Sequence, residues 1–252
     1  MFEHSDLFYD AMYVVGFALM MVLNLRDHAR YEIKKRDAVL TTVYTYVCGI
    51  VGAMLMGLIY TKVNAAFGYE DQSNVAIFGA VVFTPFLILL FPIRHRDWKH
   101  IMDMLAPGVL LILTCAKLGC FVNGCCRGVV CSFGIHYSYP VGNLYPNGDE
   151  KFFPVQIFEV LTMLAVLIVT QLVFRRQKRF VVGTAYPITF AAYSVTRFCW
   201  EFFRFYPEEG QRHLLLGLTF WQFVCCLTFV VCVVITIGLT VKARKKEKAE
   251  VE

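Results

Sequence analysis

Cys115-Ala116-Lys117-Leu118-Gly119-Cys120-Phe121-Val122-Asn123-Gly124-Cys125-Cys126-Arg127-Gly128 closes an apolar run that begins near Leu105. Lys117 lies inside that run, about two helical turns before the polar residues begin. A cation inside a bilayer costs about 2.5–3.5 kcal/mol even on the most lenient scale. A residue carried at that cost faces a partner or a water-filled cavity, or snorkels to the interface from a helix end. The first reading makes Lys117 a candidate functional residue.

Composition extends the membrane reading to the whole chain. Its 252 residues are 58% hydrophobic and only 17% charged, with a mean hydropathy of +0.58. Seven apolar runs are near the length a spanning helix needs: Leu7–Leu25, Ala38–Tyr60, Val75–Pro92, Leu105–Val122, Pro154–Phe174, Val182–Phe203 and Leu214–Val241. They are continuous and do not alternate, which excludes a β-barrel. The first run lacks a basic leader, and Asp6 and Asp10 precede or enter it, so a cleaved signal is not expected. The expected fold is an all-α integral membrane protein of seven transmembrane helices. Residues 1–241 form the membrane domain and 242–252 a basic tail.

Basic residues fall in alternate connections. One set holds Arg26, Arg30, Lys34, Lys35, Arg36, Arg94, Arg96, Lys99, Arg175, Arg176, Lys178, Arg179, Lys242, Arg244, Lys245, Lys246 and Lys248. The other holds Lys62, Arg127, Lys151, Arg204 and Arg212. This 17-to-5 bias puts the N-terminus outside and the C-terminus in the cytoplasm. The net charge of +5 then reflects basic flanks beside anionic lipid and calls for no nucleic acid.

With that orientation, polar residues of four helices reach one outer level. Lys117 comes from the fourth run and Gln156 and Glu159 from the fifth. Tyr193, Arg197, Glu201 and Arg204 come from the sixth, and Gln222 from the seventh. Arg197 and Glu201 are four apart on one helical face. Such a pair either works in a site or only fixes helix packing. Arg204, Lys117 and Arg197 would suit a phospholipid head group, because a guanidinium grips phosphate in bidentate fashion.

The order of these elements resembles the prolipoprotein diacylglyceryl transferase family. Lys117-Leu118-Gly119-Cys120-Phe121-Val122-Asn123-Gly124-Cys125 is similar to its Arg-x-Gly-Asn-Phe-x-Asn-Gly-Glu signature. Asp103-Met104-Leu105-Ala106-Pro107 resembles its Asp-x-x-Ala-Pro. Phe153-Pro154-Val155-Gln156-Ile157-Phe158-Glu159 resembles His-Pro-x-Gln-x-Tyr-Glu. Arg197-Phe198-Cys199-Trp200-Glu201-Phe202-Phe203-Arg204 resembles Arg-Phe-x-x-Glu-Phe-Phe-Arg, and Gln222 matches a Gln opening the last helix. Gly52-Ala53 with Gly57 resembles a Gly-Ala-Arg-x-Gly step in the second helix. The resemblance implies a seven-helix bacterial cell-membrane enzyme, with the N-terminus outside. It also implies transfer of a diacylglyceryl group from phosphatidylglycerol to the lipobox cysteine of prolipoprotein signal peptides. The expected catalytic residues are Lys117, Glu201 and Arg204. The expected substrate-binding residues are Gly119, Asn123, Gly124, Gln156, Glu159, Tyr193, Arg197 and Gln222. No metal and no cofactor is expected.

The chain departs from the family pattern at several positions. Lys117 stands for the signature arginine, Cys120 for its first asparagine and Cys125 for its glutamate. A Cys-Phe-x-x-Gly-Cys-Cys form resembles a variant among Gram-positive members. The His-Gly-Gly of the third helix reads Phe78-Gly79-Ala80, and the second-helix arginine is Met54. Loss of the histidine favours an alternative, a non-catalytic paralogue that binds phospholipid or lipoprotein. A small transporter is the other alternative, although its polar groups would line a path through the membrane.

In the transferase reading a substrate thiol, with an ordinary pKa of about 8.5, must lose its proton. Glu201 would take it if burial brings that carboxyl toward neutrality. Of ten cysteines, Cys120, Cys125, Cys126 and Cys131 cluster near the outer surface. Without a Cys-x-x-Cys or paired histidines, a disulfide is expected there ahead of zinc. A reactive thiol would need a base, for which His136 is the nearby choice. The connection Asn123–Phe153, with Tyr137-Ser138-Tyr139-Pro140, Tyr145-Pro146 and Asn147-Gly148, suits a lid, a recognition loop or a plain linker.

Overall fold

The run around Lys117 forms the central helix of the molecule. The computed structural model describes residues 5–69, 76–90, 98–137, 150–176, 181–206 and 216–249. Among them are seven α-helices: α1 Ser5–Asp27, α2 Lys35–Ala66, α3 Phe78–Leu87, α4 Trp98–Asn123, α5 Val155–Arg176, α6 Ala185–Glu201 and α7 Phe220–Ala249. Helix α4 is buried along most of its length, as a helix surrounded by others must be. It packs against α1, α2, α5 and α6. Helix α7 leaves Leu227, Val230, Val234 and Ile237 exposed, the surface a lipid-facing helix presents.

Five helices, α1, α2, α4, α5 and α7, are long and apolar enough to cross a membrane. Helix α6 has 17 residues and α3 only ten, with Pro85 inside. The third apolar run is thus a short helix followed by a 3₁₀ turn at Ile88–Leu90, where proline removes a backbone donor. The second run is longer than expected, and α7 carries the basic tail on as helix through Ala249. The expectation is seven transmembrane helices; among the described residues five of the seven α-helices have the length and hydropathy to span. Arg94, Arg96, Lys178, Arg179 and Arg212 lie outside the described residues.

The helices touch at small residues, as they do where no water drives association. A Cβ on Gly79 of α3 would lie 2.1 Å from the Gly52 carbonyl oxygen of α2. A Cβ on Gly108 of α4 would lie 2.5 Å from Met20 of α1. Within α2, the Thr41, Thr42 and Thr45 hydroxyls donate to carbonyls four residues earlier. That satisfies polar side chains in a medium without water.

The connection between α4 and α5 is not a plain linker. Strands β1, Val130–His136, and β2, Lys151–Phe152, pair antiparallel with an irregular register. The motif Ser138-Tyr139-Pro140, Tyr145-Pro146 and Asn147-Gly148 lies outside the described residues.

Asp103 has a structural role. Its carboxylate accepts backbone N–H bonds from Gly183 (2.6 Å), Ala185 (2.8 Å) and Tyr186 (3.3 Å) at the start of α6. The first N–H groups of a helix lack intrahelical partners and attract negative charge. A side chain from α4 thus caps α6 and sets their relative depth. Asp103→Leu is expected to leave three donors dry at about 1–3 kcal/mol each. Thermal unfolding in detergent checks this, and an unchanged midpoint would show that water replaces the carboxylate.

Candidate active site

Lys117, in the penultimate turn of α4, points its ammonium into the bundle. Its Nζ lies 2.7 Å from Oε2 of Glu159, and both side chains are almost wholly buried. This is not a snorkelling lysine. Glu159 sits in the second turn of α5, and its two oxygens serve three cations. Oε2 also receives the Arg204 guanidinium at 3.5 Å, and Oε1 lies 3.1 Å from Arg197 NH1. Arg197 and Glu201, one turn apart on α6, form a second ion pair. Arg204 Nε approaches Glu201 at 3.6 Å. Tyr206 donates to Glu201 Oε1, and the Thr219 hydroxyl donates to the same oxygen at 3.5 Å.

Three cations therefore share two carboxylates within a dry cluster. Charges taken from water are tolerated only when each is paired and hydrogen-bonded. Three cations brought to one place suit an anionic ligand. The Glu201 oxygens already face Arg197, Arg204, Tyr206 and Thr219. This arrangement makes Glu201 a clamp on the arginines more readily than a free base.

The remaining expected residues separate into those beside this cluster and those that support it. Gln156 at the start of α5 donates from Nε2 to the Cys125 carbonyl at 2.7 Å and so fixes the turn after α4. Asn123 ends α4 half-buried, and Gly124 follows with φ +72°, the left-handed position at which helices commonly terminate. Gly119 faces α1, where a Cβ would lie 3.0 Å from the Tyr9 ring, so it is a packing position. Tyr193 is buried against Phe78, with rings stacked 5.6 Å apart. Phe78 occupies the place of the family histidine. Gln222 closes a capping box on α7. Its Oε1 accepts from the Thr219 N–H at 3.1 Å, and Thr219 Oγ1 accepts from the Gln222 N–H at 3.1 Å.

Sequence reasoning missed three contributors. Tyr206 and Thr219 complete the shell of Glu201. Thr219-Phe220-Trp221-Gln222 is a legible capping-box pattern, whereas nothing marks Tyr206. Arg127 was counted only as a loop charge. It donates from Nε to the Gly124 carbonyl at 2.5 Å and lies over the Tyr137 and Phe152 rings at 5.0 and 5.1 Å. The segment after it is stitched to both flanking helices. Gly128 N–H donates to Phe153, Val129 N–H to Phe203, and Phe205 N–H to Arg127. These backbone bonds carry Arg204 to the ends of α4 and α5. All ten cysteines are free thiols, so the expected disulfide is not formed.

A family model described as prolipoprotein diacylglyceryl transferase matches residues 7–238. A phosphatidylglycerol–prolipoprotein diacylglyceryl transferase 2 of Clostridium perfringens is 26% identical over 174 residues, 66% of each chain. A phosphatidylglycerol–prolipoprotein diacylglyceryl transferase of Dehalococcoides mccartyi is 29% identical over 139 residues, 52% of each chain. One of Lactobacillus delbrueckii is 23% identical over 206 residues, 75% of this chain and 72% of that protein. The match thus spans between half and two thirds of the first two relatives.

Proposed function

The chain belongs to the prolipoprotein diacylglyceryl transferase family, and from that premise we propose that it transfers a diacylglyceryl group from phosphatidylglycerol to the lipobox cysteine of prolipoproteins. The observation that carries this reading is the convergence of Lys117, Arg197 and Arg204 around Glu159 and Glu201 in one buried cluster. Three cations at one place suit the phosphate of phosphatidylglycerol. The substrate sulfur attacks the glyceryl carbon. A C–S bond forms and the C–O bond breaks. Glycerol phosphate leaves with the electron pair, and the thiol proton ends on water or on that phosphate. Lys117 and Arg204 stabilise the departing phosphate in a site shielded from water, where fixed charges act most strongly. Glu159 and Glu201 hold the cations in place, and Gln156 fixes the turn after α4 through the Cys125 carbonyl.

The test uses the purified full chain with phosphatidylglycerol micelles and a lipobox cysteine peptide. Mass spectrometry should show the peptide gaining one diacylglyceryl group. Binding without adduct at high enzyme would instead support the non-catalytic paralogue, the reading that Phe78 in place of histidine favours.

The seven helices are proposed to cross a bacterial cell membrane, with the start of α1 outside and Lys242–Lys248 in the cytoplasm. The 17-to-5 charge bias supports this orientation. The ion cluster then lies at the level of the outer leaflet, where a signal peptide arrives. A cytoplasm-specific reporter fused after Lys248 should be active. Silence there, with an exterior-type reporter active at the same point, would reverse the orientation.

A further inference from the structure

Cys120, Cys125 and Cys126 bring their Sγ atoms within 4.8 Å of one another, the one such group of ligating side chains among the described residues. We propose that these three thiols bind one zinc ion, with a fourth coordination position left open for the lipobox thiol. The proposal rests on the transferase reading for the identity of that thiol, not for the metal site.

The geometry is built by the backbone. Cys120 is buried in the last turn of α4. Gly124 (φ +72°) and Cys126 (φ +57°) both adopt left-handed conformations, which curl the chain back over that turn. The Cys125 thiol hydrogen-bonds the Cys120 carbonyl at 3.7 Å. Gln156 holds the Cys125 carbonyl and Arg127 holds that of Gly124. The three thiols are thus pinned before any ligand arrives. Zinc–thiolate bonds of about 2.3 Å in a tetrahedron put sulfurs roughly 3.8 Å apart, within the observed spacing. No fourth histidine, cysteine or carboxylate joins the group among the described residues, and Cys126 is exposed. Three protein ligands with an open position are the pattern of catalytic zinc.

Charge favours zinc over a monovalent soft cation. Zinc with three thiolates carries one negative charge. Cuprous ion would carry two.

A thiol that coordinates zinc is deprotonated by the metal. The site would therefore do what the family histidine does not do here, since Phe78 stands in its place. On coordination the lipobox thiol would release its proton to water, and its sulfur would form the C–S bond as the glyceryl C–O bond breaks and glycerol phosphate leaves with the electron pair. The zinc stays divalent, and nothing is oxidised or reduced.

The experiment titrates the detergent-purified, reduced full chain with zinc against a chromophoric chelator. One zinc per chain is expected. Cys120→Ser, Cys125→Ser and Cys126→Ser should each weaken binding at least about tenfold, the scale on which even indirect metal contacts act. Their unfolding temperatures report whether the fold survives. Cobalt(II) loaded in place of zinc should show thiolate charge-transfer absorption. Its visible bands should shift with a lipobox cysteine peptide and not with the serine peptide. No stoichiometric zinc, or equal binding by folded variants, overturns the site. Bands unmoved by the cysteine peptide overturn the open position. Metal binding with no lipid adduct overturns the transferase reading alone. Adduct formation unchanged in a zinc-free protein overturns the catalytic use of the metal alone.

Discussion

Glu159→Gln is expected to remove about 3–5 kcal/mol of stability, the cost of stranding buried charge. Glutamine keeps the shape and volume of glutamate, so the lost quantity is charge alone. Glu159 is the common partner of Lys117, Arg197 and Arg204. Without it Arg197 and Arg204 keep Glu201, while Lys117 loses the carboxylate it pairs with, in a setting where its side chain is almost wholly buried. Glu159→Asp keeps the charge and retracts it by one methylene, so it should restore part of the loss. Thermal unfolding in detergent measures both variants. An unaltered midpoint for Glu159→Gln would mean that water already solvates the cations and that Glu159 is not their anchor.

Lys117→Met is expected to cut turnover by roughly ten- to a thousandfold, the effect of losing one charge-stabilising donor in a transition state. Methionine keeps an unbranched stem of similar length. Glu159 would still face Arg197 and Arg204, so the fold should suffer less than in Glu159→Gln. Arg204→Gln should reduce turnover on the same scale. Lys117→Arg restores the residue of the family signature and should retain activity. The rate of peptide lipidation, followed by mass spectrometry at saturating phosphatidylglycerol, separates these cases. Full turnover by Lys117→Met would make the lysine a packing partner of Glu159 and nothing more. Replacement of Lys245 and Lys246 by Gln should leave the rate per folded molecule unchanged, because these residues lie at the far end of α7.

Much of the architecture was legible because the signals are local. Hydropathy marked a run for each α-helix among the described residues, and helical spacing put Arg197 and Glu201 on one face. Turn direction then brought Lys117, Gln156, Glu159 and Arg197 to one end of the bundle. Helix bounds were less legible. Pro85 shortens α3, and the lysine-rich end of α7 stays helical because Lys, Arg and Glu are good helix formers.

Roles within the site were harder to read. A match to a motif does not say which way a side chain turns. Gln222 proved to cap α7 and Asp103 to cap α6, both because helix starts demand acceptors. Gly119 was matched within a signature and proved to seat Tyr9. The absence of a Cys-x-x-Cys spacing argued against a metal. Two left-handed residues nevertheless bring three thiols within 4.8 Å of one another, because backbone torsions and not sequence separation set the distance between thiols.

The sequence by itself determined that this chain is a helical membrane protein whose ionisable residues gather at one end of four helices. Burial in a bilayer demands continuous apolar runs, and any charge within them stands out. Only the tertiary structure decided that Glu159 anchors three cations, that Tyr206 and Thr219 close around Glu201, and that three thiols converge beside them. Those choices depend on helix rotation, relative depth and a curled turn, set by contacts between residues far apart in the chain.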